Sequence, residues 1–194
     1  MSGKQQYDDE SVIAAAIAVF WRNGYASSAI SDLTEATGLS RSSLYQRFRD
    51  KDGLFQEALV AYTEQIVAVM RSVKGETARG RLEALLREFR PDPSSRPPGC
   101  LIARSCVEIS ALSVEGRRLA LEGAERQRGV LESMFREAQS AGQLPADTDV
   151  AALAWHYLGA LYAVLNLPQA GIGPEMLDRM IEIAMSHWPG SSRG

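Results

Sequence analysis

An all-α fold follows from three features of the 194-residue sequence. Apolar residues recur at the 3.6-residue helical period through almost every segment. Runs of alternating β-branched residues never exceed a few positions. Gly, Ser, Asp and Pro stand where the periodic stretches begin and end. A composition of 45% hydrophobic and 23% charged residues is globular, which excludes disordered, fibrous and low-complexity classes.

The first helix is expected over residues 9–23, where Ile13, Ala16, Ile17 and Phe20 fall at i, i+3, i+4 and i+7, with Gly24 as a left-handed C-cap. A short helix follows over 30–37, with Ser28 near its N-cap and Gly38 closing it. Another short helix, 41–48, is capped by Ser40, and Asp50 caps a long helix over 51–74. Beyond Gly75 a helix is expected over 77–89. Residues 90–99 hold four of the eight prolines and read as a loop. Helices over 100–112 and 114–141 come next, the second weakened by Gly116, Gly123 and Gly129 and closed by Gly142. An apolar helix over 148–167 takes Asp147 or Thr148 as its cap. The last starts at Pro174, a favoured first position, and stops before Pro189. The total is about nine helices, with no internal repeat.

Lys and Arg number 21 against 24 Asp and Glu, a net charge of −3, which taken whole argues against a nucleic-acid partner. Between Gly38 and Arg49, however, Arg41, Arg47 and Arg49 stand with no acid, so positive charge is concentrated on one short segment. Two cysteines, Cys100 and Cys106, form no disulfide framework and no zinc pattern, and a reducing compartment is expected. Residues 1–10 are polar and acidic, unlike a signal peptide, and a cytoplasmic location is expected. Residues 150–173 carry no Asp, Glu, Lys or Arg, and about 20 apolar residues span a bilayer. His156, Gly159, Asn166 and Pro168, with no flanking Lys or Arg, favour a helix buried on two sides over a membrane span.

Two short helices joined at Gly38-Leu39-Ser40 have the proportions of a helix-turn-helix. Ile30, Leu33, Ala36, Leu39, Leu44 and Phe48 are placed to pack beneath Phe20. Arg41, Ser42, Ser43, Tyr45, Gln46 and Arg47 then face outward, in a set suited to phosphates and base edges. A solvated charged face is the plainer account of the arginines. Half-burial is the plainer account of Tyr45.

The stretch 24–54 resembles the DNA-binding domain of the TetR family of bacterial transcriptional regulators. The resemblance rests on Gly24-Tyr25, Ser28, Ile30 to Leu33, Ala36 to Ser40, Leu44 to Phe48 and Lys51-Asp52. It implies an N-terminal three-helix helix-turn-helix domain over 1–52 and a C-terminal helical ligand-binding and dimerisation domain over 53–194. It further implies that Ser28, Tyr45 and Lys51 bind backbone phosphate, and that Arg41, Ser42, Ser43 and Gln46 address bases. Arg47 stands where His is common and is expected to keep a phosphate contact. Ser42 replaces a frequent Gly.

The resemblance also implies a homodimer through the last two helices, reading a palindrome of double-stranded DNA. Leu153, Tyr157, Leu161, Val164 and Leu165 on one side of the apolar helix, and Ala151, Trp155, Leu158 and Tyr162 on others, ask for two surfaces. Leu177, Met180, Ile181, Ala184 and Trp188 of the last helix do the same. A monomer core is the alternative. A small apolar or aromatic effector would sit between the fourth and eighth helices. Tyr62, Ile66, Met70, Leu86, Phe89, Met134, Phe135, Trp155 and His156 are the candidate lining, each also readable as plain core. Gly53 and Gly75 stand where motion of the fourth helix could be absorbed.

Cys100, at an expected helix start where the dipole favours a thiolate, is a possible electrophile or redox sensor; a small buried hydrophobe is the bland account. A bridge from Cys100 to Cys106 along one helix would span about 9 Å, beyond disulfide reach. Cys100 with His156 as an enzyme's nucleophile and base, and a protein-binding scaffold, are the rivals from other classes. No catalytic residue, metal or cofactor is expected.

Overall fold

The computed structural model describes residues 8–91 and 99–190. Most of the expected loop over 90–99, and the N-terminal seven residues of the segment read against a signal peptide, lie outside these. Among the described residues there are nine α-helices: α1 Asp9–Ser27, α2 Ile30–Thr37, α3 Arg41–Phe48, α4 Lys51–Ser72, α5 Ala78–Glu88, α6 Leu101–Val107, α7 Val114–Ser140, α8 Val150–Asn166 and α9 Pro174–Ser186. Two 3-10 turns, Ile109–Ala111 and Leu167–Ala170, complete the chain. The fold is the all-helical one expected, and α2 and α3 have the expected limits; the N-cap of α2 is Ala29 rather than Ser28, and its N–H donates to Asp32 Oδ2 at 3.0 Å.

Differences from the expected boundaries have local causes. The α1 helix is broken at Gly24, whose φ of 80° and ψ of 172° lie outside the left-handed helical region, and a further turn runs to Ser27. The periodicity of 100–112 continues past the end of α6, but the chain leaves the helix at Glu108 and tightens into a 3-10 turn. Asp149 caps α8, rather than Asp147 or Thr148: its Oδ1 accepts from the N–H groups of Ala151 and Ala152 at 3.1 and 3.0 Å.

The chain divides into two compact units, residues 1–65 with 101–123 and residues 66–100 with 124–194. The first unit is built on α1 to α3. Phe20, Leu33, Leu44, Leu54 and Phe55 are fully buried there, and the Phe20 and Phe55 rings meet edge to face at 5.1 Å. In the second, Phe135 packs against Tyr157 at 5.8 Å and Trp188 at 5.7 Å. The Tyr157 hydroxyl donates to Ala184 O at 3.1 Å, tying α8 to α9.

Val150–Ala170 is long and apolar enough to cross a membrane by length and composition. Its Tyr157, Leu158, Leu161, Val164 and Leu165 are buried within the second unit, while Ala152, Trp155, His156 and Gly159 are exposed, so the helix is covered on one side and not on two. Gly53 and Gly75 have steric roles: a Cβ on Gly53 would lie 2.0 Å from Phe48 O, and one on Gly75 would lie 2.4 Å from the Arg81 nitrogen.

Candidate nucleic-acid interface

The turn between α2 and α3 is shaped by Gly38, left-handed at φ 70° and ψ 0°, and by Ser40, whose Oγ accepts from the Ser43 N–H at 3.0 Å. Leu33, Leu39, Leu44, Phe48 and Phe20 form the buried layer beneath it, while Ile30 is half-buried. Ala36 is exposed, not part of that layer. The position is taken by Thr37, whose hydroxyl donates to Leu33 O at 2.6 Å and so enters the core satisfied.

With Leu44 and Phe48 turned inward, Arg41, Ser42, Tyr45 and Gln46 are exposed and Ser43 is half-buried. Tyr45 is 48% exposed, which settles it outside the core. The Ser42 and Ser43 hydroxyls each lie 2.9 Å from Ser40 Oγ, so a three-hydroxyl cluster marks the start of α3. Arg49 closes the helix with φ 72° and ψ −50°, among the described residues the one non-glycine with positive φ.

Three expected phosphate contacts are placed differently. Ser28 is 2% exposed, and its hydroxyl donates to Gly24 O at 2.5 Å. Arg47 is held by two carboxylates. Its Nη2 lies 3.0 Å from Asp9 Oδ2 and its Nη1 lies 3.1 Å from Glu57 Oε1, so its charge is already matched. Hydrogen bonding to Asp9 first, and to Glu57 second, raises the guanidinium above its ordinary pKa. Lys51 donates to Tyr25 O at 3.0 Å and to Ser28 O at 3.2 Å, with its Nζ 4.4 Å from the Tyr25 ring centre. Burial first, and the carboxylates of Asp52 and Asp50 next, push the Tyr25 phenol up, so it stays a neutral ring under the ammonium.

Sequence reasoning missed Arg104 and Glu108. Both lie in the α6 segment and bond the backbone at the end of α1; their spacing of four residues was the available signal.

Of the expected effector lining, Tyr62, Ile66, Met70, Leu86, Phe89, Met134 and Phe135 are buried. Tyr62 lies in the first unit and the rest in the second. Trp155 and His156 are a correction: α8 turns both outward, Trp155 at 47% exposed, so neither lines an interior. Met134 lines a cavity of about 200 Å³ with Gly75, Arg81, Glu137 and Gln143, a rim more polar than the expected lining.

Cys100 stands one residue ahead of α6 and is a buried side chain, 1% exposed. Cys106 donates to Ala120 O at 3.7 Å, and the two cysteines are not bridged. The His156 ring packs edge-on against Tyr157 at 5.0 Å.

A capped turn between two eight-residue helices, with a basic and hydroxyl-rich outer face, defines a helix-turn-helix DNA-binding protein. A sequence profile for bacterial regulatory proteins of the tetR family matches residues 12–58, and one for the tetracyclin repressor-like C-terminal domain matches 78–183. The HTH-type transcriptional repressor ComR of Escherichia coli (strain K12) is 24% identical over 189 residues, spanning 94% of this chain and 90% of its own. The uncharacterized HTH-type transcriptional regulator YezE of Bacillus subtilis (strain 168) is 27% identical, spanning 96% and 98%. A cysteine mutant of the TetR family regulator CifR, solved with a 26-bp double-strand operator DNA, superposes with a TM-score of 0.81 at 30% identity, spanning 95% and 99%.

The chain belongs to the TetR family of bacterial transcriptional regulators. Members of that family are transcription factors and not enzymes, which removes the Cys100–His156 enzyme reading.

Proposed function

We propose that this chain is a cytoplasmic homodimeric repressor that holds a palindromic double-stranded operator and is released by a small apolar, aromatic or electrophilic effector, with no cofactor and no membrane partner. The observation that carries the reading is the exposed α3 face of Arg41, Ser42, Tyr45 and Gln46, backed by a capped turn and a buried apolar layer. Ser43 and Lys51 add to that face. Arg41 suits guanine and Gln46 suits adenine, each contact contributing about 1 to 3 kcal/mol of discrimination. CifR on its 26-bp operator supports a duplex partner, and ComR, named a repressor, supports repression.

Dimerisation rests on α8 and α9. Trp155 at 47% and Ile183 at 61% exposed, with Met176, leave apolar surface on both helices, and such surface favours a self-complementary partner. Residues 1–52 then act as the reading head and 53–194 as the ligand-binding and dimerisation part. Two recognition helices about 34 Å apart would enter successive major grooves. An effector acts only through its preference for one of two states, here by shifting α4 so that this spacing is lost.

Gel shift against genomic fragments, with light scattering of the free protein, tests the reading. A dimer that retains discrete fragments, and a Trp155→Asp monomer that retains them weakly, are expected. A monomeric parent chain, or retention of no fragment, overturns it.

A further inference from the structure

The break at Gly24 leaves a junction whose polar groups must be satisfied from elsewhere. The last carbonyls of a helix, and the first amides of the turn after it, have no partners within the helix. Both sets are met here from one helical segment. Arg104 Nη1 donates to Arg22 O at 3.3 Å and its Nη2 donates to Asn23 O at 3.0 Å. Glu108 Oε2 accepts from the Tyr25 N–H at 2.7 Å and from the Ala26 N–H at 3.1 Å. The two side chains are four residues apart and joined to each other, Arg104 Nε to Glu108 Oε1 at 3.4 Å.

Gly24 is shaped to receive them. A Cβ there would lie 2.1 Å from Glu108 Oε1 and 2.6 Å from Arg104 Nε, so the space a side chain would occupy is filled by this pair. The positive φ of 80° independently favours glycine. On the far side of the junction Lys51 binds the carbonyls of Tyr25 and Ser28, and the Ser28 hydroxyl binds Gly24 O. Residues 22–28 are therefore held from both sides, and α2 starts only two residues later, at Ile30.

We propose that Arg104 and Glu108 are positioning residues for DNA binding: they fix the junction of α1 with α2 at Gly24 and so set the angle at which the α2–α3 pair is presented. Neither lies in α2 or α3, and neither needs to touch DNA. The bonds they make are charge-assisted, the stronger kind, and the Arg104 fork matches two successive carbonyls as a lysine cannot.

The proposal rests on the DNA-binding reading, and the full-length chain tests the two separately. Glu108→Gln keeps the side chain's size and removes its charge. Three quantities are read: amide hydrogen exchange, melting temperature, and affinity, with its salt dependence, for a genomic fragment that the unmodified protein retains. In Glu108→Gln the Tyr25 and Ala26 amides exchange faster, those of α8 are unchanged, and affinity falls on the order of tenfold. The slope of affinity against salt stays that of the parent, because no phosphate contact is lost. Arg104→Lys, the milder variant, loses affinity less and keeps the same slope.

Unchanged affinity with faster exchange at Tyr25 and Ala26 overturns the proposal. So does a slope reduced by about one, which would make the residue a direct phosphate contact. If the unmodified protein retains no fragment, the DNA-binding reading has itself failed. If it does retain one and both variants bind it equally well, only the positioning role falls.

Discussion

Lys51 Nζ lies 3.0 Å from the carbonyl oxygen of Tyr25 and 4.4 Å from the centre of the same residue's ring. The first residue of α4 thus closes the turn that follows α1, with Ser28 O as a second acceptor at 3.2 Å. Lys51→Met keeps the stem over the ring and removes the donor. It should cost about 2 kcal/mol of stability, a typical value for hydrogen bonds to a charged group, seen as a lower melting temperature by calorimetry.

Tyr45 projects from α3 with a phenolic hydroxyl at its tip, exposed and backed by buried Leu44 and Phe48. Tyr45→Phe should weaken operator binding by about three- to tenfold in fluorescence anisotropy, the loss of one hydrogen bond, without change in melting temperature. Tyr45→Ala should weaken it further.

Arg41 and Arg47 share a helix but not a role. Arg41→Ala should cost about 1 to 3 kcal/mol of binding and relax preference at one base position. Arg47 is matched by Asp9 and Glu57, so Arg47→Ala should leave the salt slope nearer that of the parent than Arg41→Ala does. Equal losses of slope would mean that DNA displaces the carboxylates.

Arg49 occupies φ 72° and ψ −50°, a conformation that costs an L-residue about 1 to 3 kcal/mol. Arg49→Gly removes that strain but adds freedom to the unfolded chain worth about 0.5 to 1 kcal/mol. A net gain of about 1 kcal/mol is expected in denaturant titration, accompanied by weaker DNA binding from the lost cation.

Glu132 is flanked on α7 by Arg136 and Arg128, four residues away on either side, and hydrogen bonds from Arg136 first and Arg128 second hold its carboxyl below the ordinary 4.5. A carboxyl whose pKa is lower in the folded state stabilises the fold at neutral pH and loses that contribution as pH falls through its folded pKa. Glu132→Gln should therefore differ from the parent chain at pH 7 and converge on it in strong acid, measured by denaturation at each pH.

Helix limits and caps were legible where the signal is local. Ser40, Gly38, Asp50 and Pro174 mark their boundaries through bonds or dihedral preferences within a few residues. The phase of α2 was misread by one position, because Thr37 reaches the core with its hydroxyl bonded to Leu33 O, and a polarity pattern counts threonine as outward. The end of α6 was missed because Glu108, which leaves the helix, bonds Tyr25, a residue 83 positions away. Periodicity alone does not place Trp155 and His156 outside, because an apolar helix carries no mark of which side its own unit covers.

By itself the sequence determined the all-helical fold, the capped α2–α3 pair and the segregation of positive charge onto it, since propensity, capping and periodicity act between neighbours along the chain. Tertiary structure decided which of those charges are matched by carboxylates among the described residues. Arg47 meets Asp9 across 38 positions and Lys51 meets Tyr25 across 26, while Ser28 turns inward to Gly24. A cation's partner is set by the distance and solvation of groups that folding brings together, and helical periodicity carries no record of either.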